Sequence, residues 1–185
     1  EEVPLLQKDL IHKANSLGIP IITATQMLDS MASSPRPTRA EVSDVANAIL
    51  DGTDAVMLSN ETAVGDFPVE AVETMATIAR RIERDYPQRP IDTHLPSTIP
   101  NAISGAVSSI ARQLNAAAIL PLTKSGATAH NVSKFRPSTP ILAVTSEVSV
   151  ARKLQLVWGV TPLLIETQQS TTATFTLAMG VAQEM

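Results

Sequence analysis

A run of apolar residues that turns polar at its end constrains the fold of this chain more than any other stretch. Residues 19–22 read Ile-Pro-Ile-Ile and follow Gly18, a pattern typical of a strand in a parallel sheet that is covered on both faces. The sequence then becomes polar at Thr23, Thr25 and Gln26. Because ligands bind beyond the carboxyl ends of the strands in parallel α/β sheets, we expect a functional site at this point.

Helix and strand patterns alternate through residues 1–85. Apolar spacing and turn residues predict these elements in order: a helix over 5–17, a strand over 19–25, a helix over 39–50, a strand over 54–59 and a helix over 68–85. Thr38 and Glu41 have the spacing of a capping box at the start of the second helix. Such alternation is typical of a (βα)8 barrel or of a doubly wound sheet, and two strands cannot close a barrel, which takes about 250 residues. The pattern alone therefore predicts the α/β class and goes no further.

Four prolines lie between residues 86 and 100, where neither a long helix nor a central strand can form. We therefore predict an α/β portion over 1–85, a linker over 86–100 and a second α/β domain over 101–185. The second domain is predicted to contain, in order, a helix over 102–114, a strand over 117–122, a helix over 127–135, a strand over 141–145, a helix over 148–158, a strand over 160–165 and a helix from 172. Its strands are expected to be parallel.

Charge and cysteine content argue against several classes of protein. The net charge of −4, without any basic run, argues against a nucleic-acid-binding protein. The absence of cysteine excludes disulfides, zinc ribbons and thiol chemistry, and it fits a cytosolic protein. No apolar stretch reaches the roughly 18 residues that a membrane helix requires, and no signal peptide is visible, so we expect no membrane partner.

Three motifs resemble those of the pyruvate kinase family. They read Ala-Thr-Gln-Met-Leu-Asp-Ser-Met over 24–31, Pro-Arg-Pro-Thr-Arg-Ala-Glu over 35–41 and Thr-Lys-Ser-Gly-Ala-Thr-Ala-His-Asn-Val-Ser-Lys-Phe-Arg-Pro over 123–137. The resemblance extends over nearly the whole chain. It implies an α/β fold made of the C-terminal portion of a (βα)8 TIM barrel, with its seventh and eighth strands, followed by a three-layer α/β domain.

The resemblance also implies an activity and its requirements. A pyruvate kinase transfers a phosphoryl group from phosphoenolpyruvate to ADP, yielding pyruvate and ATP, and the family uses Mg²⁺ and K⁺. The family's catalytic lysine, metal carboxylates and potassium ligands would precede Glu1, so we expect a fragment that contains no metal site and is inactive in isolation. The full-length protein is expected to be a cytoplasmic homotetramer that responds to a phosphorylated allosteric effector.

Thr25 is the residue most directly linked to chemistry. At a strand end, its hydroxyl could bond a neighbouring backbone group or could touch a substrate at the mouth of a barrel. A hydroxyl can donate and accept a hydrogen bond at the same time, which suits a proton relay. The resemblance implies the second role, because the corresponding threonine of the family contacts phosphoenolpyruvate and belongs to the network that protonates the enolate of pyruvate.

Ser59 and Glu61 follow the second predicted strand, and we place them in the vicinity of the nucleotide site. Glu61 could face that site or cap the following helix. The family has glycine where this chain has Asn60. Because asparagine adopts a positive φ more readily than most other non-glycine residues, we expect the turn to keep its shape.

Arg36 and Arg39 flank a loop that contains prolines. Their charges could simply be solvated at the surface. The resemblance implies the alternative, a position near a contact between subunits.

A polar loop lies between the predicted strand over 117–122 and the helix that follows it. Its residues are Thr123, Lys124, Ser125, Gly126, Ala127 and Thr128. Amides at the N-terminus of a helix bind phosphate well, although the same residues could merely cap the helix. The spacing of a Walker A loop is absent.

In the pyruvate kinase family the equivalent loop binds the phosphate of an allosteric sugar-phosphate effector. Some members that respond to fructose-1,6-bisphosphate have arginine where this chain has Ala127. The resemblance therefore implies a phosphate site but leaves the identity of the effector open. The alternative function is a non-catalytic module that binds a phosphosugar or nucleotide effector through this loop.

Overall fold

The computed structural model describes residues 2–85, 98–166 and 170–183. The chain divides into two compact units, Glu1–Gln88 and Arg89–Met185. The division falls within the predicted linker over 86–100, of which residues 86–97 lie outside the described residues. The helix that follows begins at Ile99, so the end of the predicted linker is helical.

The first unit alternates helices with short strands. In order along the chain, its elements are helix α1 (Val3–Leu17), strand β1 (Ile22–Thr23), a 3₁₀ helix (Asp29–Ala32), helix α2 (Arg39–Leu50), strand β2 (Ala55–Val56), helix α3 (Asn60–Ala63) and helix α4 (Pro68–Asp85).

Local chemistry sets the helix boundaries of this unit. Helix α1 ends at Gly18, whose φ of 68° is one that favours glycine. At the start of α2 the capping box is complete: Thr38 Oγ1 accepts a hydrogen bond from the Glu41 amide, and the Glu41 side chain accepts one from the Thr38 amide. Helix α4 begins at Pro68, because the fixed φ of proline suits a first helical turn.

Strands β1 and β2 are parallel and much shorter than predicted. Ile22 pairs with Ala55, and Thr23 pairs with Val56. The hydroxyl of Thr53 accepts hydrogen bonds from the amide of Thr23 at 3.2 Å and from its hydroxyl at 3.0 Å, and it lies 2.9 Å from the carbonyl oxygen of Ala55. The Thr53 side chain thus adds hydrogen bonds between the two strands at the residues where they pair.

The core of the first unit lies under α2 and α4. Its buried apolar residues are Met27, Leu28, Met31, Val45, Ala48, Ile49, Ala71 and Met75. Helix α1 contributes little to this core: Ile11 is buried, but Leu6, Leu10 and Leu17 are 54–60% exposed. These three leucines therefore lie outside the core of this unit.

The second unit is built on longer strands. Its elements in order are helix α5 (Ile99–Gln113), helix α6 (Ala127–Ser133), strand β3 (Ile141–Thr145), helix α7 (Val148–Leu154), strand β4 (Val160–Leu164) and helix α8 (Thr171–Gln183).

Strand β3 is the centre of the second unit. It pairs in parallel with β4 over its whole length, and all of its residues are buried. The predicted strand over 117–122 runs beside β3 but meets it in two isolated parallel bridges, Ile119 to Ile141 and Leu122 to Val144. Pro121 has no N–H to donate, so it interrupts the ladder between them.

Helices cover both faces of this sheet. On one face, Ile141 and Ala143 join a core with residues of α5, α6 and α7. On the other face, Leu142 and Val144 join a core that includes Ala178 of α8. The second unit is therefore a three-layer α/β arrangement.

Within the described residues, no helix has the length and apolar character needed to cross a membrane.

Candidate functional site

Thr25 lies just beyond β1 with an unusual backbone conformation. Its φ is 78°, and that of Gln26 is 53°, so two consecutive non-glycine residues occupy the left-handed region. The Thr25 side chain is exposed, and no described residue forms a hydrogen bond with its hydroxyl. That hydroxyl is therefore available to a ligand at the carboxyl end of β1.

Glu61 connects the loop after β2 to the loop after β1. Glu61 is buried, with only 1% of its surface exposed. Oε1 accepts a hydrogen bond from the Leu28 amide at 3.0 Å, and Oε2 accepts one from the Ser59 amide at 2.7 Å. The sequence leaves open whether Glu61 faces the site or caps a helix. In the structure its carboxylate is directed at backbone amides and not at an open cleft.

Glu41 holds the loop after β1 from another direction. Its Oε1 accepts a hydrogen bond from the Ser30 amide at 2.7 Å, and its Oε2 accepts one from the Ser30 hydroxyl at 2.5 Å. Oε2 also accepts a hydrogen bond from the Thr38 amide at 2.7 Å. One carboxylate therefore caps α2 and fixes the start of the 3₁₀ helix that follows Thr25.

Both carboxylates remain ionised to lower pH than usual. Burial alone would raise the pKa of Glu61, and the nearby charge of Glu41 acts in the same direction, but hydrogen bonds from backbone amides outweigh both and lower it. Burial likewise opposes ionisation of Glu41, whose pKa is nevertheless lowered by its hydrogen bonds from Ser30 and Thr38. The loop that carries Thr25 is thus anchored by two negative charges at neutral pH.

The turn after β2 forms without a positive φ at Asn60. Asn60 is the first residue of α3, and its φ is not in the left-handed region. The chain becomes helical at Asn60, so this position does not require a glycine-like backbone here, and conservation of the turn's shape stays a prediction. The glycine that this segment needs is Gly65, where an added Cβ would lie 2.6 Å from the carbonyl oxygen of Glu61 and 3.1 Å from the Cα of Ala32.

Ser59, Arg36 and Arg39 are exposed. The Ser59 amide binds Glu61, which leaves its side chain at the surface between β2 and α3. The carbonyl of Arg36 accepts a hydrogen bond from Ser34 Oγ at 2.8 Å, and in the described part of the chain neither arginine forms an ion pair. Their role at a subunit contact stays a prediction.

The loop over 123–128 follows the interrupted strand beside β3. The Thr123 amide donates to the Val144 carbonyl at 2.9 Å, which ties the loop to the sheet. Thr123 Oγ1 accepts a hydrogen bond from the Gly126 amide at 2.8 Å, and Ser125 Oγ accepts one from the Ala127 amide at 3.4 Å. Two of the amides expected to face a phosphate are therefore engaged by side chains of the loop itself.

A cavity of about 360 Å³ opens at the carboxyl ends of β3 and β4, within the size range of small-molecule sites. Its lining is mixed in charge, with one lysine and two glutamates. The lining residues are Leu122, Thr123, Lys124, Val144, Thr145, Ser146, Glu147, Ile165, Glu166 and Thr174. Of the six loop residues, only Thr123 and Lys124 line this cavity; Ser125, Gly126, Ala127 and Thr128 do not.

A metal site is not formed by the residues that the structure describes. Among them, no group of three histidine, aspartate or glutamate side chains is arranged to hold a metal ion. The described residues therefore provide no cluster of carboxylates and histidines for the Mg²⁺ that the family resemblance implies.

Glu41 is the residue at this site whose role sequence reasoning missed. The spacing from Thr38 identifies it as a helix cap, and the structure has that cap. Its second task, binding Ser30, joins residues eleven positions apart across a proline-containing loop. No periodic pattern encodes such a contact, so the sequence offers no signal for it.

Comparison with known proteins matches the two units to two domains of one family. Residues 1–72 match the family model described as pyruvate kinase, barrel domain, and residues 101–185 match the one described as pyruvate kinase, alpha/beta domain. Both the resemblance seen in the motifs and the expected fold, a barrel end followed by an α/β domain, are thereby confirmed.

Individual relatives agree with these matches. Pyruvate kinase 2 of Synechocystis sp. is 68% identical over 184 residues, which cover 100% of this chain and 31% of that protein. Pyruvate kinase of Geobacillus stearothermophilus is 58% identical over 164 residues, covering 86% of this chain and 28% of that protein. A crystal structure of a pyruvate kinase from Cryptosporidium parvum superimposes with a TM-score of 0.91 at 39% identity, over 100% of this chain and 39% of that chain. The chain spans less than a third of the length of these two curated relatives, and it belongs to the pyruvate kinase family.

Proposed function

We propose that this chain is part of a glycolytic pyruvate kinase, which transfers a phosphoryl group from phosphoenolpyruvate to ADP and yields pyruvate and ATP. The observation that carries the proposal is the match of both units, in order, to the barrel and α/β domains of that family. Thr25 supports it, because an exposed hydroxyl without a described partner stands at the carboxyl end of a parallel strand.

In this proposal Thr25 contacts phosphoenolpyruvate and takes part in protonating the enolate of pyruvate. A hydroxyl is too weak an acid to supply a proton without a partner, so Thr25 acts as one member of a relay. Ser59 lies one loop away, after β2, in the vicinity of the nucleotide. Mg²⁺ and K⁺ would supply positive charge around the moving phosphoryl group. The described residues include no cluster of carboxylates and histidines that would hold a metal ion.

Activity assays of two proteins test this assignment. The intact enzyme that contains this segment is expected to produce pyruvate from phosphoenolpyruvate and ADP in a coupled assay, with a requirement for Mg²⁺ and K⁺. The pure 185-residue chain is expected to show no turnover, because it contributes no metal site among its described residues. Metal-dependent turnover by the 185-residue chain would contradict the proposed division of the catalytic groups.

We further propose that the loop over 123–128 binds the phosphate of an allosteric effector. Its support is the cavity beside it, which Thr123 and Lys124 line and into which a sugar could extend. Lys124 is exposed and lines this cavity, where it provides a positive charge. A non-catalytic effector-binding module would use the same loop, so this feature does not by itself distinguish the two functions. The assembly is proposed to be a cytoplasmic homotetramer, with Arg36 and Arg39 near a contact between subunits.

A titration of the intact enzyme tests the loop. Fructose-1,6-bisphosphate, sugar monophosphates and AMP are the probes, and the readout is the change in apparent affinity for phosphoenolpyruvate. Ser125→Asp adds a negative charge to the loop and is expected to abolish the response. Thr77→Asp adds the same charge to an exposed position on α4 and should leave the response intact. Equal responses in the two variants would mean that the loop only caps α6.

A further inference from the structure

The loop that carries Thr25 has a conformation that its own sequence does not favour. Thr25 and Gln26 both have positive φ, at 78° and 53°, and neither is glycine. Such conformations cost free energy and persist only where the surroundings hold them. The restraint must therefore come from contacts outside these two residues.

The nearest restraint on the C-terminal side is the amide of Leu28. Leu28 is itself fully buried, and its N–H donates to Glu61 Oε1 at 3.0 Å. The other oxygen of the same carboxylate accepts from Ser59 at 2.7 Å. One buried side chain thus fixes the distance between the loop after β1 and the loop after β2.

A second tie joins the same two loops a few residues further on. The amide of Asp66 donates to the carbonyl oxygen of Ala32 at 2.8 Å. Gly65 permits this approach, because a Cβ there would lie 3.1 Å from the Cα of Ala32. The loops after β1 and β2 are therefore joined at both ends of the 3₁₀ helix and should move as one body.

We propose that Glu61 is a positioning residue for the reaction: its buried carboxylate holds the Thr25 loop in the conformation that presents the hydroxyl to the substrate. This inference rests on the proposed function, in which Thr25 contacts the substrate. Glu61 does not contact the reacting atoms itself. It acts through Leu28, three residues after Thr25.

The negative charge is essential to this role. Both oxygens of Glu61 accept hydrogen bonds from backbone amides, and an amide N–H can only donate. In Glu61→Gln one oxygen becomes an NH₂ group. This group must face the backbone N–H of either Leu28 or Ser59, and two donors cannot form a hydrogen bond with each other. The isosteric variant therefore keeps the volume of the side chain and loses one of the two ties.

A double-mutant cycle in the intact enzyme tests the proposal. Thr25→Val, Glu61→Gln and the double variant are compared by kcat, by the KM for phosphoenolpyruvate and by exchange of the pyruvate methyl protons with solvent. Glu61→Gln is expected to lower kcat roughly tenfold to a hundredfold, because small misplacements of a reacting group have effects of that size. It should change the KM far less than kcat. If Glu61 acts through Thr25, the double variant should be no slower than Thr25→Val alone.

Three outcomes decide between this role and a purely structural one. The proposal would be overturned if Glu61→Gln lost thermal stability while its kcat per folded enzyme stayed unchanged. It would also be overturned if the fold-reduction of kcat in the double variant equalled the product of the reductions in the two single variants. If Thr25→Val itself leaves kcat unchanged, the assignment of Thr25 fails first. Glu73→Gln removes a charge from an exposed position on α4 and is the matched control, expected to leave all three readouts unchanged.

Glu61→Asp keeps the test decisive if Glu61→Gln does not fold. It retains a buried carboxylate but shortens the side chain by one methylene, so it can reach only one of the two amides well. We expect kcat between those of the wild type and Thr25→Val, with the pyruvate proton exchange lowered in proportion. A folded Glu61→Asp enzyme with full kcat and full exchange would also overturn the proposal.

Discussion

The two units hold their candidate ligand loops in different ways. In the first unit, β1 and β2 contribute only two residues each, and the loop with Thr25 is fastened by the carboxylates of Glu41 and Glu61. In the second unit, β3 is buried throughout and paired with β4 along its length, and the loop over 123–128 is tied to it by a backbone hydrogen bond. Loop position thus depends on charged side chains in one unit and on a backbone ladder in the other.

The same contrast appears in the residues with positive φ. Within these two loops, Thr25 and Gln26 adopt such angles in the first, whereas Gly126 adopts a φ of 90° in the second; outside the loops, Asn115 and Arg136 of the second unit also have positive φ. Glycine adopts these angles without strain, but threonine and glutamine do not. The strained loop is the one that needs charged anchors, and it is also the one that carries the proposed catalytic hydroxyl. The rigidity of the Thr25 loop therefore depends on interactions that single substitutions can remove.

Loss of the Thr25 hydroxyl should have the largest effect. In the intact enzyme, Thr25→Val is expected to lower kcat roughly 100-fold or more, the range for positioned acid–base groups. The response of the second unit to a phosphorylated effector should stay unchanged, which would separate the two loops functionally. Steady-state kinetics with and without effector measure both. A folded variant with normal kcat would make Thr25 a structural residue.

The close approach of the two loops at Gly65 gives the next largest effect. A Cβ at Gly65 would lie 2.6 Å from the carbonyl oxygen of Glu61 and 3.1 Å from the Cα of Ala32, so backbone must move. Gly65→Ala is expected to destabilise the enzyme by about 2 kcal/mol, as overpacking does, and to lower kcat by displacing Thr25. Urea denaturation and steady-state kinetics of the same preparation measure the two consequences. Unchanged stability would show that the loops can separate freely, which contradicts their description as one body.

The sequence predicts more of the fold than of the site. The pattern predicts α4 and β3 with their observed bounds, because a strongly amphipathic helix and a short apolar strand between turn residues are local features. It fails for the lengths of β1 and β2. The predicted first strand runs to residue 25, but the positive φ of Thr25 is incompatible with a strand. The end of β1 therefore depends on a backbone conformation that no periodicity encodes.

For the site, motif resemblance identified Thr25 as a candidate but could not show what holds it. The link from Glu61 to Leu28 spans 33 positions, and the link from Glu41 to Ser30 spans 11. Both depend on where the chain returns after a strand and a helix. The positive φ of Thr25 could not be predicted from the sequence either. Threonine rarely adopts this conformation, and neither Thr25 nor Gln26 is a glycine or asparagine that would indicate it.

Substitutions at two glycines of the second unit should have smaller effects. Gly159 has a φ of 67° with nothing within 4 Å of an added Cβ, so Gly159→Ala isolates the cost of the left-handed conformation, about 1 kcal/mol. Gly126→Ala has the same backbone cost, and its Cβ would meet Leu154 and Val150 at ordinary contact distances of 3.4 and 3.5 Å. Equal losses of stability in urea denaturation are expected. A much larger loss for Gly126→Ala would show that this loop, like the Thr25 loop, has no room to adjust.

The pH dependence of the two units provides the finest comparison. Hydrogen bonds from Ser30 and Thr38 lower the pKa of Glu41 below its usual value of 4.5. A carboxylate whose pKa is depressed by folding stabilises the folded state fully above its unfolded pKa, and this contribution is lost as the pH falls through the folded pKa. Removing the charge with Glu41→Gln should therefore cost the same amount at every pH above about 5 and progressively less below 4.5. Because the side chain is partly exposed, we expect that cost to be about 1 kcal/mol.

Hydrogen exchange of the segments 24–31 and 141–145 in the intact enzyme, corrected for the intrinsic rate at each pH, measures this difference. Protection of 24–31 should fall on acidification in the wild type, and it should start lower and fall less in Glu41→Gln. Protection of 141–145 should be the same in both proteins, since β3 is held by a backbone ladder and apolar contacts without a described carboxylate. Glu73→Gln should behave as the wild type in both segments. Parallel loss of protection in the two segments would mean that acid weakens the enzyme as a whole, and the contrast between charge-anchored and ladder-anchored loops would then have no consequence for stability.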